Sequence, residues 1–291
     1  MKKSVINDTE VYRQSALVKP VIKWVGGKRQ LISDIKRNMP KTVNKYFEPF
    51  FGGGAVLFNF QFRNAAISDN NAELINLYRV IKDKPEALLN DLSTHLNEEE
   101  YFYKIRSIDR NADEWAKQSD VQRASRFIFL NKTCFNGLYR VNNSGEFNAP
   151  FGRYKNPRIR DHVTINSVSK YLNACEVNIL HGDYQSAVTD AVAGDFVYFD
   201  PPYDPVSPSS NFTGYTSGGF DRTEQIRLKD VCDHLHKRGV NFLLSNSSTD
   251  FIYELYAQYK IDVIRARRAI NSNGSDRGEV AEVLVRNYAK K

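Results

Sequence analysis

Apolar positions along this chain fall into short runs separated by polar or glycine-rich turns, and their spacing predicts strands alternating with helices. An extended N-terminal stretch leads into the strand-like Tyr46-Phe47-Glu48-Pro49-Phe50, then a glycine turn at Gly52 to Gly54, then a helix opening on Ala55-Val56-Leu57-Phe58. A second strand, Ala65 to Ser68, ends at Asp69, and the apolar positions from Asn71 to Tyr78 recur at helical spacing. Further strands are predicted at Glu176 to Leu180, Phe196 to Phe199 and Val240 to Leu244. The order implies a parallel sheet with crossover helices, whose ligand sites lie at the C-terminal ends of the strands. Two alternating stretches, Ile261 to Arg268 and Glu279 to Asn287, flank the polar Asn271 to Ser275 and predict a C-terminal hairpin added to the sheet.

Residues 80 to 165 differ in character, starting with helix formers and continuing with Asn, Arg, Tyr and Phe. They predict an insertion between the two sets of strands, in which Trp115 and the charged stretch Asn97 to Asp120 form helical scaffold. The polar stretch Asp204 to Gly219 predicts a mobile loop.

Length and composition allow a sizeable core: 291 residues, 41% hydrophobic and 26% charged. No run approaches the roughly 18 apolar residues of a membrane span, and the N-terminus lacks the apolar centre of a signal peptide. A cytoplasmic protein is expected. Cys134, Cys175 and Cys232 form no CxxC pair, so reduced structural thiols are expected and no metal site. The five histidines are scattered and define no ligand set. The net charge of +7 changes the picture only through its distribution: Arg123 to Arg160 holds eight basic residues against the single acid Glu146. Phe135, Tyr139, Phe147, Phe151 and Tyr154 interleave with these charges. A solvated basic face is the plain account; basic, aromatic and Asn side chains together favour nucleic acid.

Glycines between a strand and a helix let backbone approach a ligand closely. A dinucleotide loop would need glycine where Leu57 stands, and a phosphate loop around Gly27-Lys28 fails at Ile22 and Arg29. Asp69, at the end of the next strand, stands where an acid accepts from ribose hydroxyls, so a nucleoside without a pyrophosphate fits both facts. The plain alternative is a sharp turn, with Asp69 capping the helix that follows. Asp200-Pro201-Pro202-Tyr203 closes an apolar strand, where a carboxylate is costly unless paired or used. The prolines remove two backbone donors, leaving carbonyls beside Asp200 open to a ligand. A carboxylate and a carbonyl at one point would hold an exocyclic amine by both hydrogens, with Tyr203 stacked on its ring. A proline turn with a capping Asp is again the plain alternative.

Four blocks in one order resemble the DNA adenine N6-methyltransferases of the Dam type: Lys23 to Lys28, Phe47 to Gly54, a segment holding Asn136 to Arg140, Gly145 to Asn148 and Pro150 to Tyr154, and Asp200 to Tyr203. The likeness spans almost the whole chain. It implies a seven-stranded, mostly parallel, Rossmann-like α/β methyltransferase sheet with a C-terminal β-hairpin, formed by residues 16–80 and 165–291. Residues 81–164 would be an inserted helical and hairpin target-recognition domain. The implied cofactor is S-adenosylmethionine, held by Trp24, Lys28, Asp69 and Asp200, with Phe51, Gly52 and Gly54 lining the pocket; Asp183, after the strand-like Glu176 to Leu180, either lines the cofactor or adenine pocket or has a simple turn role. Asp200, Pro201, Pro202 and Tyr203 would be catalytic, with neither a metal nor a covalent enzyme intermediate. Arg123, Asn136, Leu138, Arg140, Asn142, Pro150, Arg153, Tyr154 and Lys155 would contact DNA, Arg140 reading guanine and Arg153, Lys155 and Arg158 touching phosphates. Phe135 stands where Tyr is common in enteric members. The implied target is adenine in double-stranded GATC, flipped from the helix, and the implied state is a monomer without membrane attachment. A genetic association with a restriction endonuclease stays open. So do two other functions: a methyltransferase for RNA bases or protein amides, and a catalytically dead DNA-binding protein.

Overall fold

Continuous apolar runs become strands where both faces are covered, and Phe196 to Phe199 is buried at all four positions. In the computed structural model, which describes residues 13–206, 219–267 and 279–290, a 3-10 turn at Lys28–Gln30 leads into α1 (Ile32–Asn38), β1 (Tyr46–Glu48), α2 (Ala55–Phe60), β2 (Asn64–Asp69) and α3 (Ala72–Asp83). The segment that follows holds α4 (Pro85–Leu92), α5 (Glu99–Ser107), α6 (Ala112–Ala116) and α7 (Asp120–Thr133). Then come α8 (His162–Ala174), β3 (Glu176–His181), α9 (Tyr184–Ala187), β4 (Phe196–Phe199), α10 (Arg222–Lys237), β5 (Asn241–Ser247), α11 (Asp250–Leu255), β6 (Lys260–Arg267) and β7 (Glu279–Arg286).

The sheet has seven strands in the order β3-β2-β1-β4-β5-β7-β6. β1 to β5 are parallel, and β7 lies antiparallel between β5 and β6. Alternation sorts the strand side chains between two buried clusters. Tyr46, Ile67, Tyr198, Leu243 and Leu284 join α2, α3 and α8 on one face, while Phe47, Val197, Phe199, Leu244 and Val285 join α10 and α11 on the other. Strand order reverses between β1 and β4, so the crevice where open α/β sheets bind ligands falls at Glu48 and Asp200.

The strands and the hairpin follow the pattern of the sequence. The N-terminal stretch does not: it turns into the 3-10 turn and α1, whose Ile35 is fully buried. α4 and α7 pack Leu88, Leu89, Ala124 and Ile128 into the same cluster as the strands, and a smaller cluster around Phe102 and Phe129 lies beyond them. Asn71, not Asp69, caps α3 by accepting from Leu74 N–H at 3.0 Å. His95 is a packed histidine, bonded to Tyr101 Oη and Ser125 Oγ at 3.0 Å and stacked on Phe129. The three cysteines are free thiols. Most of the loop expected at Asp204 to Gly219, and the tip expected at Asn271 to Ser275, lie outside the described residues. Among the described residues no helix is long and apolar enough to cross a membrane, and no cluster of metal-ligand side chains occurs.

Candidate active site

Gly52 and Gly54 adopt left-handed φ values of 52° and 70°. What crowds them is protein: a Cβ on Gly52 would lie 2.6 Å from the Trp24 ring, and one on Gly54 would lie 2.5 Å from Phe51. These glycines therefore seat Trp24 and Phe51 against the turn. Trp24 stacks in turn on Tyr139 and Phe127, tying the turn to α7 and the segment beyond it. The half-buried Asp69 holds the turn from below: Oδ2 accepts from Gly52 N–H at 3.0 Å and Oδ1 from Asn71 N–H at 2.9 Å. Burial raises its pKa, against the pull of these amides and of His181.

At the end of β4, Asp200 Oδ1 lies 2.7 Å from Lys28 Nζ, with the side chains only 19% and 7% exposed. Lys28 also donates to Gly26 O at 2.6 Å and stands 4.8 Å from the centre of the Tyr203 ring. Burial lifts the Asp200 pKa to about 6; Lys28 opposes the rise and Glu282 adds to it. Beneath them, at the end of β1, Glu48 Oε2 accepts from Tyr46 Oη at 2.9 Å and Leu57 N at 3.2 Å. Burial pushes its pKa up to about 8, the Tyr46 bond opposing and the Asp200 charge adding. Glu48 is therefore neutral at pH 7, so Lys28 and Asp200 form the charged pair.

The turn after Asp200 is held by side chains from elsewhere. Tyr203 Oη donates to Glu282 Oε2 on β7 at 2.9 Å. Gln225 Nε2 of α10 donates to Pro202 O at 2.8 Å, and Gln225 Oε1 accepts from Asn246 Nδ2 of β5 at 3.0 Å. Asn246 Oδ1 accepts from Asp204 N at 3.0 Å, while the buried Asp204 carboxylate meets Arg222 Nε and Thr249 Oγ1. Among the described residues no donor reaches Pro201 O.

The region expected to read DNA is an irregular, hairpin-like segment with two isolated antiparallel bridges, Cys134 to Phe151 and Val141 to Phe147. Asn136 takes a left-handed φ of 60° at its entry. Phe135 (57% exposed) and Tyr154 (41%) present open aromatic faces. Arg140, Pro150, Arg153 and Lys155 are exposed, and Leu138 is half-buried.

Residues 24–270 match the family of D12 class N6 adenine-specific DNA methyltransferases. The chain belongs to this family. It is 47% identical over 273 residues to a Type II methyltransferase of Lactococcus lactis subsp. cremoris, covering 93% of this chain and 96% of that protein. A Type II methyltransferase of Methanocaldococcus jannaschii is 44% identical, with 93% and 99% covered. The DNA adenine methylase of Escherichia coli K12 is 36% identical, with 91% and 93% covered.

This adenine methyltransferase thus brings Trp24, Phe51, Gly52, Gly54 and Asp69 together around the glycine turn, and Lys28, Asp200 and Tyr203 together at the end of β4. Several other expected residues are engaged elsewhere. Asp183 caps α9 through Gln185 N–H and pairs with Arg227 at 2.6 Å, which is the turn role. Arg123 sits in the first turn of α7, bonded to both Glu73 carboxylate oxygens and stacked on Trp115, so it joins α7 to α3. Asn142 spends its amide within its own turn, accepting from Ser144 N and Glu146 N and donating to Glu146. The basic run is therefore two things: Arg123 and the buried Arg126, which pairs with Asp109, are internal, and the cations from Arg140 onward face outward. Arg140 Nε donates to Asn148 Oδ1 at 2.7 Å. Glu48, Glu282, Gln225 and Asn246 escaped the sequence reading. The only trace of Asn246 is a polar Ser-Asn-Ser ending on an apolar strand, which periodicity alone assigns to solvent.

Proposed function

We propose that this methyltransferase moves the methyl group of S-adenosylmethionine to N6 of an adenine flipped out of double-stranded DNA, within GATC. The supporting observation is Asp200 beside the Pro201 carbonyl, which no donor among the described residues reaches, at the switch point of the sheet. The donor set fits a cationic nucleoside without phosphate: Asp69 and Asp200 flank the crevice, and the buried Lys28 is already paired with Asp200. Asp69 keeps lone pairs beyond its two amide bonds for ribose hydroxyls, while Trp24, Phe51 and the glycine turn wall the pocket. Bound there, the cofactor supplies an electrophilic methyl group on a positive sulfonium.

The residues of the chain do the rest. Asp200 and the Pro201 carbonyl accept the two amino hydrogens of adenine, turning the nitrogen lone pair out of the ring and offsetting the positive charge that develops there, and the Asp200 carboxylate takes the proton that methylated N6 sheds. Tyr203 stacks on the base with the face that Lys28 leaves open. Flipping costs a few kcal/mol, offset by stacking and by hydrogen bonds in the pocket. Neither a metal nor a covalent enzyme intermediate is required.

Arg140 is the guanine reader in this proposal, pre-oriented by Asn148, with Asn136, Leu138, Pro150 and Tyr154 lining the groove. Arg153, Lys155 and Arg158 contact phosphates. The half-buried Lys132 supports an anionic partner: burial lowers its pKa, and Arg29, Lys19 and Arg158 lower it further against Asp161 alone. The enzyme acts as a monomer in the cytoplasm, where its DNA is. The Type II names of two relatives support a genetic link to a restriction endonuclease.

Incubation of protein, S-adenosylmethionine and DNA, followed by digestion with nucleases of differing sensitivity to adenine methylation, tests the proposal. Protection of GATC sites is expected. Methylated adenine in another sequence would overturn the site assignment, and methyl incorporation into RNA but not DNA would overturn the whole reading.

A further inference from the structure

The Asp200 to Tyr203 turn carries the proposed chemistry, yet it has few means of holding its own shape. Two prolines remove backbone donors, and β4 ends at Phe199. Its rear is held by Gln225 and Asn246, which are 1% and 0% exposed. The order of their bonds leaves one consistent orientation for each amide. Asn246 Oδ1 accepts from Asp204 N and Ser247 N, so Asn246 Nδ2 faces Gln225 Oε1, and Gln225 Nε2 faces Pro202 O. Neither amide has a buried atom left without a partner.

We propose that the Gln225–Asn246 amide pair is a positioning clamp for the methyl-transfer reaction, fixing the peptide planes on both sides of Tyr203 so that the Pro201 carbonyl and the Tyr203 ring face the incoming adenine. This rests on the reading of Asp200 and Pro201 as acceptors of the adenine amine. The physical ground is that Pro202 O and Asp204 N bracket Tyr203, and both are tied to a single buried pair. Side chains this enclosed cannot exchange these bonds for water, so losing one leaves Pro202 O unmatched and the peptide free to rotate. A carbonyl misaimed by a fraction of an ångström no longer meets the amine hydrogen in line.

Gln225→Glu is the deciding variant, because it is isosteric and its behaviour depends on one proton. As a neutral acid it donates to Pro202 O and accepts from Asn246, as glutamine does. As a carboxylate it donates nothing and repels the carbonyl. Single-turnover methylation of a GATC duplex at saturating S-adenosylmethionine is measured from pH 6.5 to 9, each rate taken relative to wild type at the same pH. The ratio is expected to fall at least tenfold as pH rises and to recover as it is lowered. Gln225→Leu should be slow at every pH, and cofactor and DNA affinities should stay within about threefold of wild type for both. A pH-independent ratio near one for Gln225→Glu would overturn the clamp, as would an equal, pH-independent loss in both variants, which marks a merely structural role. Asp200→Asn run in parallel separates the failures: wild-type methylation by that variant would sink the reading of the site itself, whereas its inactivity beside an indifferent Gln225→Glu would remove the clamp alone.

Discussion

At the residue scale, two buried carboxylates 152 positions apart in the chain meet below one crevice and take opposite protonation states. Asp200, its pKa lifted to about 6 by burial, is ionised at pH 7, and only that form can offset positive charge developing on a bound amine. kcat/KM should therefore fall as pH drops through about 6. Asp200→Ala should lower the single-turnover rate by about 10²–10³-fold, the range for losing one aligned group that offsets developing charge. Pre-steady-state methylation assays check both, and a wild-type rate for the variant would remove Asp200 from the chemistry. Glu48 behaves in the reverse sense. Folded, it keeps its proton up to about pH 8; unfolded, it loses it near 4.5. Folding thus takes up a proton between these values, and the stability this group contributes declines as pH rises through that window. Glu48→Gln cannot ionise, so its Tm should gain on that of wild type from pH 5 to about 8 and then level off. A constant difference would mean that Glu48 is charged in the folded state.

At the element scale, the glycine turn and the hairpin-like segment show how much position depends on neighbours. Gly52→Ala places a methyl group 2.6 Å from Trp24 on a backbone at φ 52°, and should cost about 1–3 kcal/mol by urea unfolding. In a Trp24→Ala background the clash disappears and only the φ strain, about 1 kcal/mol, should remain. Equal costs in the two backgrounds would show that Trp24 does not crowd the turn. On the hairpin-like segment, Arg140→Ala should lower methylation of GATC relative to its single-base variants, by about 1–3 kcal/mol of discrimination per base. Lys155→Ala should weaken binding to all DNA and reduce the salt slope by about one ion. Methylation rates across the variant sites, with binding titrations in salt, distinguish the two. The glycines, Asp69 and the Asp200 to Tyr203 turn were legible because short patterns with strict backbone demands mark them. The double role of the basic run was not: Arg123 and Arg126 look like Arg140 in sequence, and only the acids brought in by α3 and by the turn at Asp109 neutralise them.

At the scale of the whole molecule, one buried cluster joins Tyr46, Ile67 and Tyr198 of the sheet to Leu88, Leu89 and Ile128 of the inserted segment. Surfaces that share a core lose it together, so the protein should unfold in a single calorimetric transition, and residues 81–164 expressed alone should show no cooperative melt. Two separated transitions would mark the segment as an independent domain. The basic cations from Arg140 onward lie on that segment, while Asp69 and Asp200 lie at the ends of sheet strands, so the two kinds of charge sit on different parts of one molecule.

What the sequence determined alone was the alternation of strands and helices, the C-terminal hairpin, the glycine turn and the Asp200-Pro201-Pro202-Tyr203 turn, because each is written within a few consecutive residues by periodicity, missing Cβ atoms or missing N–H groups. Tertiary structure decided everything that depends on distant partners. Lys28 reaches Asp200 across 172 positions, Glu282 reaches Tyr203 from the far side of the sheet, and Gln225 and Asn246 meet behind the turn. It also decided charge state, since the pKa values of Glu48 and Asp200 follow from burial and neighbours, which the order of residues along a chain does not carry.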